Sequence, residues 1–100
     1  MPNVSRHYRL SPGARTDLEN IWLYTAERWS IDQADHYHNL LIDGIESLVG
    51  AAHRVIAIDH IRPGYRRLNA ESHVIFYRTA GAGVEVVRIL HGRMDFDRHL

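Results

Sequence analysis

The sequence predicts an α+β domain, an N-terminal strand and an antiparallel helical hairpin packed on an antiparallel β-sheet. Three observations carry that reading. Apolar residues recur at helical spacing through the first half, the period changes to two beyond residue 64, and Pro/Gly turn signals punctuate the second half. At 100 residues with 45% hydrophobic content, the chain is expected to form one core and one domain over residues 1–100.

The elements follow in order. Residues 4–10 alternate, with Val4, Arg6, Tyr8 and Leu10 on one side, and read as a short edge strand. Ser11-Pro12 is a helix start, serine as N-cap and proline at the first helical position. Ala14, Leu18, Ile21, Trp22, Thr25 and Trp29 follow at spacings of 4, 3, 1, 3 and 4, one helix face. Both tryptophans on that stripe are read as core residues. Ser30 with Gln33 matches a capping box, so a second helix should begin there with almost no loop. Its buried stripe is Ala34, Tyr37, Leu41, Ile45 and Leu48. Arg62-Pro63-Gly64-Tyr65 is a turn, and residues 65–68, 73–79 and 84–90 read as three consecutive antiparallel strands. The last two are joined through Thr79-Ala80-Gly81-Ala82-Gly83.

Alternation along the last strand puts Val84, Val86, Arg88 and Leu90 on one face and Glu85, Val87, Ile89 and His91 on the other. Both faces are largely apolar, yet two helices cover only one. The second face is left either to a partner or to the chain's own C-terminal tail.

Composition narrows the function. The 12 basic residues equal the 12 acidic ones, which argues against a domain built chiefly to grip nucleic acid. All 12 are arginines, suited to forked pairing with carboxylates and phosphates. Residues 1–50 hold 4 Arg against 7 acids (−3), and residues 51–100 hold 8 against 5 (+3). Zero is thus a cancellation between an acidic helical half and an arginine-rich sheet half. Without cysteine there are no disulfides, thiol catalysis or cysteine zinc sites. No apolar run approaches the roughly 20 residues of a membrane span, and no signal pattern precedes Arg6-His7, so a cytoplasmic location is expected.

Catalytic and cofactor motifs are scarce. Gly81-Ala82-Gly83 precedes a strand, whereas phosphate-cradling loops open a helix, so no cofactor is expected. Of the eight histidines, His36 and His38 lie about 200° apart around a helix and cannot chelate together, so no metal is expected. A ribonuclease needs a base, an acid and a cation around one phosphate. Glu85 and His91 share a strand face but stand about 20 Å apart along it, which leaves that chemistry only a pairing through the neighbouring strand.

Leu10-Ser11-Pro12, Asp17-Leu18, Ile21-Trp22 and Tyr24-Thr25-Ala26-Glu27-Arg28-Trp29 together resemble the N-terminal helix motif of ParE toxins. Arg62-Pro63-Gly64-Tyr65-Arg66, His73-Val74-Ile75-Phe76-Tyr77-Arg78 and Val87-Arg88-Ile89-Leu90-His91-Gly92-Arg93-Met94-Asp95 resemble the rest of that pattern in order. Where the family often carries a Pro-x-x-Gly turn, this chain has Ala51-Ala52-His53-Arg54-Val55. The resemblance implies the RelE/ParE fold and the toxin of a type II toxin–antitoxin pair. It implies no enzyme activity, binding and inhibition of DNA gyrase, neutralisation by a ParD-type antitoxin, and contact with DNA only through that antitoxin. The alternative within the superfamily is a RelE-like ribosome-dependent mRNA endonuclease.

On that basis Arg62, Arg66, Arg78 and Arg88 are the expected antitoxin contacts, unless they pair internally with Asp59, Glu71 or Glu85. Leu23, Leu40 and Ile42, off the main helix stripes, are expected to rim the same groove. The accessible Arg93, Met94, Asp95 and Phe96 are the expected gyrase contacts.

Overall fold

The computed structural model describes residues 8–49, 56–57, 63–81 and 83–100. Strand β1 (Tyr8–Leu10) leads into helices α1 (Pro12–Arg28) and α2 (Ile31–Ser47). Strands β2 (Ile56–Ala57), β3 (Arg66–Ala70), β4 (His73–Ala80) and β5 (Gly83–His91) follow, then a short helix α3 (Phe96–His99). Among the described residues no helix is long and apolar enough to cross a membrane.

Both helix starts form where their local chemistry places them. Ser11 Oγ accepts from the Ala14 N–H at 3.0 Å, and Ser30 Oγ accepts from the Gln33 N–H at 3.0 Å. Each cap satisfies a donor that the first helical turn leaves without an intrahelical partner. Ser11 also ties α1 to the sheet, its N–H donating to Val86 O at 2.9 Å and its hydroxyl to Val87 O at 2.6 Å.

The five strands run in the order β1-β5-β4-β3-β2. Pairing from β3 to β5 is antiparallel, as expected, and the short β2 adds to β3 in the same sense. β1 instead runs parallel to β5, with Tyr8 opposite Val84 and Leu10 opposite Val86. The helical hairpin and the other strands lie between these two segments in the chain, which is the long connection parallel neighbours need. The turn between β3 and β4 holds Glu71 at φ 57°, a left-handed conformation unusual for a residue with a Cβ.

The expected alternation of β5 breaks at a bulge. Arg88 pairs with Phe76, but the next pair is Val86 with Tyr77, so Val87 is the extra residue. Val84 and Val86 therefore share the helix-side core with Ile89, not with Leu90. That core also contains Ala14, Leu18, Leu41, Ile45, Leu48, Ile75 and Tyr77.

On the other face Val74, Phe76 and Leu90 are buried, with Tyr65, Phe96 and Leu100 packed against them. The chain's own C-terminal segment thus takes up part of the second apolar face. Phe96 meets Phe76 edge-on, ring centroids 4.8 Å apart.

The two tryptophans part company. Trp22 is half-buried, and its indole N–H donates to Asp35 Oδ1 at 2.9 Å, joining α1 to α2. Trp29 is 70% exposed, against the expectation of a core residue. It is the C-cap, with φ −124° and ψ −82°, so helical spacing no longer aims its side chain at the core.

Candidate functional site

Three surfaces present chemistry. The first is the tail-covered face of the sheet and the part of β5 beyond its pairing with β1, where α1 meets it. Asp17, on α1, accepts from Arg88 Nε at 2.7 Å and Nη2 at 2.9 Å, a forked pair across 71 residues of sequence. The same carboxylate accepts from the Ile89 N–H at 2.9 Å, and Arg88 Nη1 reaches His99 O at 3.0 Å. Hydrogen bonding to Asp17 holds Arg88 protonated above its ordinary range. Arg88, expected to face a partner or to pair with Asp59, Glu71 or Glu85, is therefore engaged by Asp17.

Arg78 is exposed and pairs with Glu85 at 2.8 Å, and Arg9 approaches the same carboxylate at 3.7 Å. Arg66 is half-buried opposite Tyr77, whose hydroxyl burial keeps protonated while the Arg66 charge opposes that shift. Arg62 lies outside the described residues, as do Asp59 and the segment at 51–55. One cation that sequence reasoning passed over is Arg67. Its guanidinium lies over the Phe96 ring at 5.7 Å and bonds Asn69 Oδ1 at 2.9 Å, leaving Nε buried without a partner among the described residues. No local signal distinguished it from Arg66; strand register decides which of two adjacent arginines meets the tail.

The second surface is a groove of about 620 Å³ beside the helical hairpin, lined by Leu10, Arg15, Leu18, Glu19, Trp22, Leu23, Asp35 and His38. Leu23 stands in it, 53% exposed. Ile42 packs against the main core instead, and Leu40 is half-buried elsewhere on α2. Of the residues expected to target gyrase, Arg93, Met94 and Asp95 are exposed, while Phe96 is half-buried on Phe76.

The third is a cleft of about 390 Å³ between the hairpin and the ends of β4 and β5, with Tyr37, His73 and His91 in its wall. Tyr37 Oη accepts from the Ser72 N–H at 3.0 Å and meets His73 Nδ1 at 2.7 Å. His73 lies opposite His91 in the sheet, with ring centroids 5.3 Å apart. Burial first, and repulsion from His91 second, lower the His73 pKa to about 4, partly opposed by Asp17.

That shift has a signed consequence. Between pH 6.5 and about 4 the unfolded chain takes up a proton that folded His73 refuses. Stability should fall as the pH drops through that window and level off below it. His73→Gln should flatten this dependence in urea titrations at pH 4.5, 5.5 and 7. An unchanged slope would remove His73 as its source.

Glu85 and His91 do not converge. Glu85 is held by Arg78 and Arg9, whereas His91 faces His73 six positions further along β5. Among the described residues no group of three or more His, Asp or Glu side chains could hold a metal ion.

Comparison with known proteins agrees with this architecture. Residues 8–96 match the family described as ParE toxin of type II toxin-antitoxin system, parDE. Toxin ParE1 of Mycobacterium tuberculosis (strain H37Rv) is 48% identical over 98 residues, covering 97% of this chain and 100% of the relative. Toxin ParE1 of Caulobacter vibrioides is 41% identical over 93 residues, covering 93% and 96%. A solved structure titled as the chromosomal ParDE TA system from P. aeruginosa superposes with a TM-score of 0.74 at 18% identity, covering 89% of this chain and 98% of that one. At that identity the likeness speaks for the fold. The hairpin-on-sheet architecture, the family match over residues 8–96 and the near-full-length relatives lead to one conclusion: the chain belongs to the ParE toxin family of type II toxin–antitoxin systems.

Proposed function

We propose that this toxin acts in the cytoplasm without catalysis, binding and inhibiting DNA gyrase, and is neutralised by a ParD-type antitoxin. The observation that carries binding over cleavage is the disposition of Glu85 and His91. The carboxylate is tied up by two arginines, and the imidazole is turned to His73 at the other end of β5. An acid and a base so separated do not serve one phosphodiester. Family membership and the hairpin groove support the antitoxin partner. An amphipathic antitoxin segment places apolar anchors against Leu23 and Trp22, and its carboxylates meet Arg78, Arg66 and Arg62. Arg88 contributes by holding α1 to β5 through Asp17.

Purified toxin in a gyrase supercoiling assay, run beside cell-free translation, tests the activity. Inhibited supercoiling with intact message is the expected result. Cleaved message with unaffected supercoiling would replace this reading with the RelE-like endonuclease. For the antitoxin surface, Leu23→Asp and Arg78→Ala should each weaken antitoxin binding by about 1–2 kcal/mol. Leu23 is exposed, so its variant should keep its melting temperature, whereas Arg78→Ala should lower it modestly because Glu85, 16% exposed, keeps only Arg9 at 3.7 Å. Unchanged affinity in both variants would place the antitoxin elsewhere.

A further inference from the structure

The cleft at Tyr37, His73 and His91 has no part in that reading, and its chemistry is that of a small-molecule site. Its volume, about 390 Å³, lies within the range of ligand pockets. Trp29 and Tyr24 line one side and are 70% and 61% exposed, with Arg28 over one face of the Tyr24 ring. The side-chain amides of Asn20 and Gln33 also line it. The opposite end presents imidazoles held from behind through Nδ1. His91 Nδ1 accepts the Arg93 N–H at 3.2 Å, which leaves Nε2–H as the donor of the neutral ring. The Tyr37 hydroxyl, which accepts from the Ser72 N–H, holds His73 through Nδ1 at 2.7 Å.

Among the described residues the lining holds no carboxylate, lysine or arginine, so the enclosed part of the ligand is uncharged. The nearest cation is outside the lining: Arg28 lies over the Tyr24 ring, 5.9 Å from its centroid, in an adjoining hollow of Tyr24, Glu27, Arg28 and Trp29. A planar, uncharged heterocycle rich in acceptors, carrying a negative group outside the cleft, matches this set. Stacking surfaces take the ring, amides read its edge in the way Asn and Gln read adenine, and arginine meets a phosphate.

We propose that this cleft binds a purine nucleotide, with the base between the Trp29/Tyr24 wall and the imidazoles and the phosphate toward Arg28. The site stands whether or not gyrase is the toxin's target.

The test titrates the full-length chain with AMP, GMP, adenosine, the dinucleotide ApA and glucose. Tryptophan fluorescence and amide chemical shifts are the readouts. A purine nucleotide should give saturable quenching, with shifts at His73 and His91. Trp29→Ala should weaken binding about tenfold or more, the loss expected for removing one stacking ring. His91→Gln should weaken it several-fold, and Arg28→Gln should abolish the preference for AMP over adenosine. Trp29, His91 and Arg28 are all exposed, so these variants should fold, and circular dichroism checks that they do. Equal affinity for AMP and ApA identifies a free nucleotide as the occupant, and about tenfold tighter binding of ApA identifies a strand end. Absence of saturable binding up to about 5 mM, a weak limit for any specific site, would overturn the proposal. Saturation by glucose alone, or wild-type affinity in Trp29→Ala, would overturn it equally.

Discussion

Replacing Asp17 by alanine should destabilise the protein by about 2–4 kcal/mol, lowering the melting temperature by about 10–20 °C. The size follows from how much one carboxylate does. It accepts two bonds from the Arg88 fork and a third from the Ile89 N–H, with only 12% of its side chain exposed. Alanine leaves a half-buried guanidinium and a strand N–H without their acceptor. The loss exceeds that of an ordinary surface pair, which is worth about 0–1 kcal/mol, because the partners cannot simply return to water. Asp17→Asn keeps an oxygen for Ile89 and should lose less. Removing both charges in Asp17→Ala/Arg88→Met should recover part of the deficit, since no uncompensated cation remains. Urea denaturation of the four proteins measures all of this. If Asp17→Ala were as stable as wild type, α1 would not be anchored to β5 through this residue. The amide of Ile89 gives an independent readout, because its hydrogen exchange should accelerate selectively in Asp17→Ala.

Phe76→Ala should cost about 3–5 kcal/mol, the range for deleting a fully enclosed aromatic ring. Phe76 is the centre of the small core on the face away from the hairpin, and Phe96 closes over it edge-on. Phe96→Ala should cost less because that ring is only half-buried. The pair should show a coupling of about 0.5–1.5 kcal/mol in a double-mutant cycle. The cycle decides whether the C-terminal turn belongs to the folded core. Zero coupling would mean that Phe96 does not rest on the sheet. A bound antitoxin should partly mask both losses, since any ligand of the folded state stabilises it by mass action.

The same residues show which parts of the molecule are legible in sequence. Ser11 and Ser30 mark the helix starts because capping is settled within three or four residues, and the structure places both caps there. The stripe of α2 is equally readable: Ala34, Leu41, Ile45 and Leu48 are buried. Trp29 marks the limit of that method. Periodicity assigns it to the core, but periodicity holds only while the helix continues, and α1 ends one residue earlier. Strand alternation fails in the same way at Val87, where one extra residue turns Arg88 and Leu90 away from Val84 and Val86. A bulge leaves no trace in the pattern of one strand, because it is a property of the pair.

The site residues follow that division. Arginine enrichment in the second half is plain from composition, but the fate of each arginine is not. Arg88 is taken by Asp17 from the other half of the chain, Arg78 by its cross-strand neighbour Glu85, and Arg67 by the ring of Phe96. The Tyr37, His73 and His91 cluster joins three elements, with Tyr37 and His73 meeting across 36 residues of sequence, and carries no motif spacing at all.

The first strand, both long helices with their caps, the hairpin, the last three long strands and the α+β class were legible in sequence, because those depend on forces acting within a few residues; β2 and α3 were not. The ParE family resemblance is equally a property of the sequence, since it rests on residue identities in chain order from Leu10 to Asp95. Tertiary structure alone decided the parallel seat of β1, the bulge in β5, the closing of the second face by Phe96, the Asp17–Arg88 anchor and the polar cleft. Each of these is a contact between segments far apart in the chain, where the energy depends on register and close approach that residue type alone does not specify.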